Sequence, residues 1–336
     1  MTGESHPNLW DDSPVRYRKL GKTGIEVSEV GYGAWGIGGN QWQGHTDDES
    51  LQALRRAFEL GLNFIDSALA YGEGHSERLV AEVVKDAPHP VYLATKIPPK
   101  NRIWPAPKGI SLDEVFPYDY IVRSTETSLQ NFQTERIDLQ QLHVWDPGWT
   151  DRDEWKRAFE DLKKAGKVQF FGVSINDHQP DSALDVVAGG YIDTVQVIYN
   201  IFDQSPEHNL FSAVQRHNVG VLARVPLDEG ALTGTIDEQT TFAGDEFRSH
   251  YFRGERKREV MQHVKELQND LESVEGTLPE IALQFCLAHP AVSTVIPGMR
   301  RVRNVESNCS VSDRRPLNAD VLQRLKQHVW DKNFYN

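Results

Sequence analysis

Four polar side chains stand at or just beyond the ends of apolar runs, where an unpaired charge is expensive. Asp66 and Tyr71 fall in Asn63-Phe64-Ile65-Asp66-Ser67-Ala68-Leu69-Ala70-Tyr71, Lys96 closes Tyr92-Leu93-Ala94-Thr95-Lys96, and His143 closes Leu139-Gln140-Gln141-Leu142-His143. A lysine ending an apolar strand is costly to bury unless it is paired, and Asp66 on a neighbouring run supplies the partner. An ammonium beside a tyrosine favours the phenolate. Lys96 is therefore expected to draw the Tyr71 hydroxyl from a pKa of about 10 towards neutrality, as a general acid needs. His143 is suited to donating a hydrogen bond to a substrate oxygen. Taken singly, each residue has an ordinary structural use as a helix cap, a snorkelling strand end, a core hydroxyl or a hydrogen-bonded barrel residue. Jointly they form a cluster poor for stability and suited to proton transfer.

The elements carrying them can be read from periodicity. Short β-branched runs recur at 29–35, 63–68, 91–96, 138–145, 168–175, 194–199, 219–226 and 292–297. Helical patterns separate them: Asp47-Asp48-Glu49-Ser50 opens one whose apolar Leu51, Leu54, Ala57 and Phe58 keep the helical period until Gly61. Such alternation implies parallel strands with right-handed crossovers, and eight units predict an α/β fold, a (β/α)8 TIM barrel. The 336 residues fit one such barrel, which typically needs about 250 residues. We expect a polar extension over 1–14 and a single barrel over 15–336. Residues 17–27 read as a β-hairpin capping the barrel bottom. Two long connections, 97–117 with its five prolines and 227–252 rich in Gly, Thr and Asp, follow strand ends on the face where barrel active sites sit.

Composition narrows the partner. With 36 Lys+Arg against 49 Asp+Glu the net charge is −13, which disfavours nucleic acid or an anionic membrane and leaves a small molecule. Cys286 and Cys309 are the two cysteines; without a CxxC partner or a secretory leader they point to a reducing, cytoplasmic setting. No run approaches the roughly 18 apolar residues of a membrane span. Gly31-Tyr32-Gly33-Ala34-Trp35-Gly36 is a literal G-x-G-x-x-G. A dinucleotide fingerprint needs a helix at once, whereas here the pattern continues as loop until Asp47, so the glycines are expected to let a ligand approach the backbone.

The motif series Phe64-Ile65-Asp66-Ser67-Ala68, Tyr71-Gly72 with Ser76-Glu77, Leu93-Ala94-Thr95-Lys96, and Asp138-Leu139 with Leu142-His143 resembles the aldo-keto reductase family. The likeness spans nearly the whole chain. Residues 17–24 resemble the opening of bacterial members, Gly172-Val173-Ser174 and Val195-Gln196 resemble strands reaching a nicotinamide, and Ile296-Pro297-Gly298 with Arg300 and Asn308 resembles the adenosine-holding segment. The resemblance implies NAD(P)H-dependent reduction of aldehydes or ketones, sugar-derived ones included, without a metal. Tyr71 would be the general acid, Lys96 and Asp66 its tuning pair, and His143 the group orienting the carbonyl.

By the same resemblance the cofactor would contact Gly33, Ala34, Trp35 and Asp66, with Ser174, Asn176 and Gln196 holding the carboxamide. Asn176 departs from the family pattern, since many members place Asn directly after the serine, where this chain has Ile175. Arg224 stands where many members stack an aromatic ring and would stack by its guanidinium plane. Val225, Pro226 and Leu227 continue that segment as cofactor contacts, the loop with Gly230 and Leu232 in 230–234 and with Phe242, Asp245 and Arg248 resembles the one that covers the pyrophosphate, and Ile296, Gly298, Arg300, Asn304 and Asn308 would hold the adenosine end. Trp35, Tyr71, Trp104, His143 and Trp145 would border the substrate, with Trp42 nearby. Arg300, Arg301 and Arg303 form a local positive patch in an acidic chain. That patch predicts NADP(H) over NAD(H), with Arg300 first and Arg303 second in line for the 2′-phosphate. Three competitors remain: a metal-dependent barrel hydrolase or isomerase, which lacks a second strand-end histidine and would place Lys96 against the cation; a non-catalytic nucleotide sensor or regulatory subunit; and an enzyme of the same fold and cofactor whose chemistry is sugar oxidation or epimerisation, with the same tyrosine as base.

Overall fold

The computed structural model describes residues 14–39, 41–44 and 46–335. Apart from Pro14, the expected extension over 1–14 lies outside the described residues.

Strands β1 (Tyr17–Lys19) and β2 (Glu26–Ser28) pair antiparallel, Tyr17 opposite Ser28. This is the expected hairpin. Its Leu20 and Val27 join Phe64, Ala94, Leu139, Leu222 and Ile296 in a small apolar cluster that plugs the barrel floor. Gly21 lies so close to the neck of the seventh barrel strand that a Cβ there would fall 2.3 Å from the Gly220 nitrogen.

Eight parallel strands follow in sequential order: β3 (Tyr32–Gly33), β4 (Phe64–Asp66), β5 (Tyr92–Ile97), β6 (Ile137–Leu142), β7 (Val168–Ser174), β8 (Thr194–Ile198), β9 (Gly220–Arg224) and β10 (Thr294–Val295). Parallel bridges from Val30 to Val295 and from Gly33 to Gly298 close the sheet into the (β/α)8 barrel. The first and last strands are shorter than the β-branched runs suggest. Pro297 has no N–H for the ladder, and the chain after Gly33 turns at once into a 3₁₀ turn, Trp35–Ile37. Gly33 is obligatory at this seam, because a Cβ would meet the Ile296 carbonyl oxygen at 2.4 Å.

The helix Asp47–Glu59 begins with a reciprocal cap: the Thr46 side chain accepts from the Glu49 nitrogen and the Glu49 carboxylate accepts from the Thr46 nitrogen. It buries Ala53, Leu54, Ala57 and Phe58 against the barrel, and Gly61, at φ +88°, turns the chain back into β4. The two long connections are not structureless. A four-residue helix, Leu112–Val115, interrupts the first; a 3₁₀ segment, Asp228–Thr233, and a short helix, Phe247–Tyr251, interrupt the second. Among the described residues no helix is long and apolar enough to cross a membrane, and no group of three or more His, Cys, Asp and Glu side chains is placed to hold a metal.

Candidate active site

The C-terminal ends of β4, β5 and β6 deliver Asp66, Lys96 and His143 to one mouth, and the turn after β4 brings Tyr71 to them. Lys96 is fully buried. Its ammonium donates to Asp66 Oδ2 at 2.5 Å, to the Ser67 carbonyl at 2.7 Å and to the Tyr71 hydroxyl at 3.2 Å, using all three of its donors. The other Asp66 oxygen accepts from Gln196 Nε2 at 2.8 Å and from Gln141 Nε2 at 3.2 Å. The His143 ring stands edge-on to the Tyr71 ring, centroids 5.8 Å apart. The glycine-rich segment after β3 serves this turn: a Cβ on Gly72, at φ +63°, would fall 1.9 Å from the Gly38 carbonyl oxygen. The fingerprint glycines themselves serve other close approaches, Gly33 at the barrel seam and Gly36 against the Arg300 stem.

Burial sets the charge states. It raises the Tyr71 hydroxyl above its ordinary value despite the opposing pull of Lys96, contrary to the expected drift towards neutrality. Desolvation outweighs one ammonium that Asp66 already holds. Burial also opposes the Lys96 charge, yet Asp66 and Tyr71 together hold its pKa above the ordinary lysine value. His143 is pushed well below the usual imidazole value by burial and by repulsion from Lys96 and Arg224. The site therefore holds an ammonium, a neutral phenol and a neutral imidazole whose buried Nδ1 has no protein partner among the described residues.

Over this cluster lies a cavity of about 580 Å³, within the size range of small-molecule sites. Most of the expected contacts border it: Gly33, Ala34 and Trp35 after β3, Trp104 from the first long connection, Ser174 and Asn176 after β7, and Gln196 on β8. So do Arg224, Val225, Pro226, Leu227 and Gly230 after β9, and Ile296, Gly298, Arg300 and Asn304 after β10. Three residues do not. Trp145 is wholly buried and donates from its indole to the Ser182 carbonyl at 3.1 Å, so it is core rather than a substrate wall. Leu232 packs into the main core, and Asn308 is buried outside the cavity lining.

Besides Gln196, two of the expected cofactor contacts around β7 and β9 are already engaged. The Asn176 amide spans Ala106 and the Trp145 nitrogen in contacts of 3.3–3.4 Å, bracing the two preceding loops. Arg224 is tied to Asp177 at 2.6 Å and to the Ile175 carbonyl at 3.1 Å. Of the three arginines after β10, Arg300 lines the cavity, Arg301 reaches out to the Gly44 carbonyl at 2.6 Å and Arg303 is exposed. Arg300 donates to the Gln43 carbonyl at 2.6 Å, and its guanidinium lies 5.3 Å from the Trp42 ring centroid.

Several residues of the site escaped the motif reading, among them Gln141, buried behind Asp66, and the lining residues Glu229 and Tyr335. Gln141 was visible as a polar residue inside an apolar strand. Glu229 and Tyr335 carry no comparable signal, because the loops that place them have no period, whereas Arg248 of the pyrophosphate-loop motif does line the cavity. Tyr335 donates to Glu229 Oε1 at 2.8 Å, while Lys332, almost fully buried, binds Asp228 Oδ1 at 2.7 Å and the Tyr251 hydroxyl at 2.9 Å. Segment 329–335 thus straps the loop after β9. Burial, with help from Asp228, pushes the Glu229 carboxyl up to about 7.

A closed eight-stranded parallel barrel with a buried Asp-Lys-Tyr cluster and a neutral histidine at its C-terminal mouth defines the class. The aldo/keto reductase family profile matches residues 29–329, and the chain belongs to that family. Aldo-keto reductase YhdN of Bacillus subtilis (strain 168) is 30% identical over 327 residues, covering 94% of this chain and 96% of the relative. The NADH-specific methylglyoxal reductase of Escherichia coli (strain K12) is 27% identical, covering 90% and 95%. Among solved structures, the holo form of aldo-keto reductase AKR11C1 from Bacillus halodurans superposes with a TM-score of 0.74 at 27% identity, covering 94% of this chain and 96% of that one. Membership makes the chain a nicotinamide-dependent oxidoreductase acting on carbonyl compounds.

Proposed function

We propose that the chain reduces aldehydes or ketones with NADPH, the proton coming from Tyr71. The observation that carries this reading is the Lys96 ammonium shared between Asp66 and Tyr71 at the cavity floor. The lining fits a nicotinamide nucleotide. Ser174 and Gln196 stand at neighbouring strand ends, the buried Arg224 Nε has no partner among the described residues, and nothing lies within 4 Å of the Cβ position at Gly298. When bound, the reduced nicotinamide supplies a hydride. The chain's own residues handle the proton: neutral Tyr71 gives its hydroxyl proton to the carbonyl oxygen, and Lys96 stabilises the phenolate left behind. Asp66 holds Lys96 in place while Gln141 and Gln196 fix Asp66. His143, neutral, donates one hydrogen bond to the same carbonyl oxygen and orients it. Trp35 and Trp104 form the apolar walls.

NADPH is favoured over NADH because Arg300 sits on the cavity wall beside Asn304; the E. coli relative, by its name, uses the other cofactor. Tyr71→Phe tests the mechanism. The variant should lose the roughly 10²–10⁴-fold typical of a missing general acid in single-turnover carbonyl reduction while binding cofactor as before. Turnover at the wild-type rate would overturn the assignment. Nucleotide binding by the wild-type protein without turnover of any carbonyl or alcohol would favour the sensor instead.

A further inference from the structure

Beside the main cavity lies a second, of about 370 Å³, bordered by Leu69, Glu73, Pro98, Arg102, Tyr120, Arg123, Ser124 and Thr127. Glu73 and Arg102 line both cavities, so the two are contiguous. The floor belongs to the catalytic segments. Leu69 lies between Asp66 and Tyr71, its nitrogen donating to the Lys96 carbonyl at 3.1 Å, and Pro98 follows Lys96 by two residues. A molecule reaching from His143 past Trp104 to Arg102 would enter this second space.

The chemistry of the rim is that of an anion site. Among the described residues, neither the Arg102 nor the Arg123 guanidinium has a protein acceptor or an ion-pair partner, in contrast to Arg224, held by Asp177, and Arg248, held by Glu246. Both rim residues shared with the main cavity have left-handed backbones, Glu73 at φ +51° and Arg102 at φ +59°. Such strain persists only where surrounding structure imposes it, and it clusters at ligand sites. Arg102 acts on Tyr120 as well, its charge opposing the burial that raises that hydroxyl's pKa. Two guanidiniums against the single Glu73 carboxylate leave a net positive rim in a protein of net charge −13. Guanidinium pairs match the planar or tetrahedral oxygens of carboxylate and phosphate, and the Tyr120 hydroxyl adds a neutral donor, while Thr127 already donates to the Arg123 carbonyl at 3.0 Å.

We propose that this second cavity takes the acidic end, carboxylate or phosphate, of the carbonyl substrate, so that the protein selects carbonyl compounds bearing an anionic group several bonds from the reacting carbon. The proposal rests on the reading of the main cavity as a carbonyl-reducing site. Matched pairs test it: butanal against 4-oxobutanoate for the carboxylate, and glyceraldehyde against glyceraldehyde 3-phosphate for the phosphate. The wild type should favour the acidic member of at least one pair in kcat/KM by about tenfold, the scale of a charge-assisted contact at a partly exposed site. The preferred pair identifies which acid the cavity takes. Arg123→Ala, which lies outside the main cavity, should bring that ratio close to one through KM alone, Arg123→Lys should restore part of it, and added salt should erode it. An acid-to-neutral ratio near or below one in both pairs, or a ratio that survives Arg123→Ala, overturns the proposal while neutral aldehydes are still reduced. Failure to reduce any of the four compounds removes the carbonyl reading and the proposal together.

Discussion

Lys96, Tyr71 and His143 share one buried mouth, and burial acts on each with a different result. It leaves the ammonium charged because Asp66 is 2.5 Å away, keeps the phenol protonated because one shared ammonium is too little to ionise it, and keeps the imidazole neutral because two cations face it. A neutral His143 cannot titrate near pH 6.5, its ordinary value. The profile of kcat/KM for reduction should therefore cross that region without an inflection; a step there that His143→Gln abolishes would show an imidazole that still takes up a proton. The Asp66–Lys96 partnership was legible in the sequence, since a charge at the end of an apolar strand demands its opposite. The direction of the tyrosine's shift was not, because spacing reports which charges are near and says nothing of how much water is excluded.

Among the elements, the eight strands, their order and the capping hairpin follow from period and turn chemistry, while the strand lengths do not. β3 and β10 are cut short by Gly33 and Pro297, whose effect depends on their facing each other across the seam. Gly33→Ala would press a methyl group onto the Ile296 carbonyl, 2.4 Å from the new carbon. It should lower the thermal midpoint and loosen amide protection in β3 and β10 before the other strands; a midpoint equal to wild type would contradict so tight a seam. The loop after β9 was the least legible element. Val225, Asp228 and Glu229 all have positive φ, a costly choice for a β-branched valine, and they hold it through distant partners: Asn200 Nδ2 donating to the Val225 carbonyl at 3.0 Å, Lys332 on Asp228 and Tyr335 on Glu229. With the Glu229 carboxyl pushed from 4.5 up to about 7, the folded state holds its proton more tightly than the unfolded chain. The wild type should thus lose stability as pH rises from about 4.5 to 7, on the order of 3 kcal/mol in all. Glu229→Gln should gain on wild type across that window and run parallel to it above; a pH-independent difference between the two would refute the buried titration.

For the molecule as a whole, a charge of −13 repels a phosphorylated cofactor, and the cavity must overcome that field locally. Arg300 is placed to do so on the cavity wall, its stem so close to Gly36 that a Cβ there would lie 2.8 Å from it. Arg300→Ala should weaken NADPH by about 1.5–3 kcal/mol and leave NADH nearly unaffected, the value of a hydrogen bond to a charged group. Equal losses for both cofactors in direct titration would remove Arg300 as the reader of the 2′-phosphate. The closure of the barrel has a different kind of consequence. Asp66, Tyr71, Lys96 and His143 all belong to the first half of the chain, yet the wall at Gly33 is completed by residues 294–298. On the ribosome, where a chain emerges from its N-terminus onward, the proton-transfer residues are exported long before the strand that seals them in. A nascent chain with its first six barrel strands outside the tunnel would leave one edge of β3 and the outer edge of β8 unpaired, and lack the wall that holds Arg300. Competence to bind nucleotide should then arrive in a single late step, when residues 294–304 emerge.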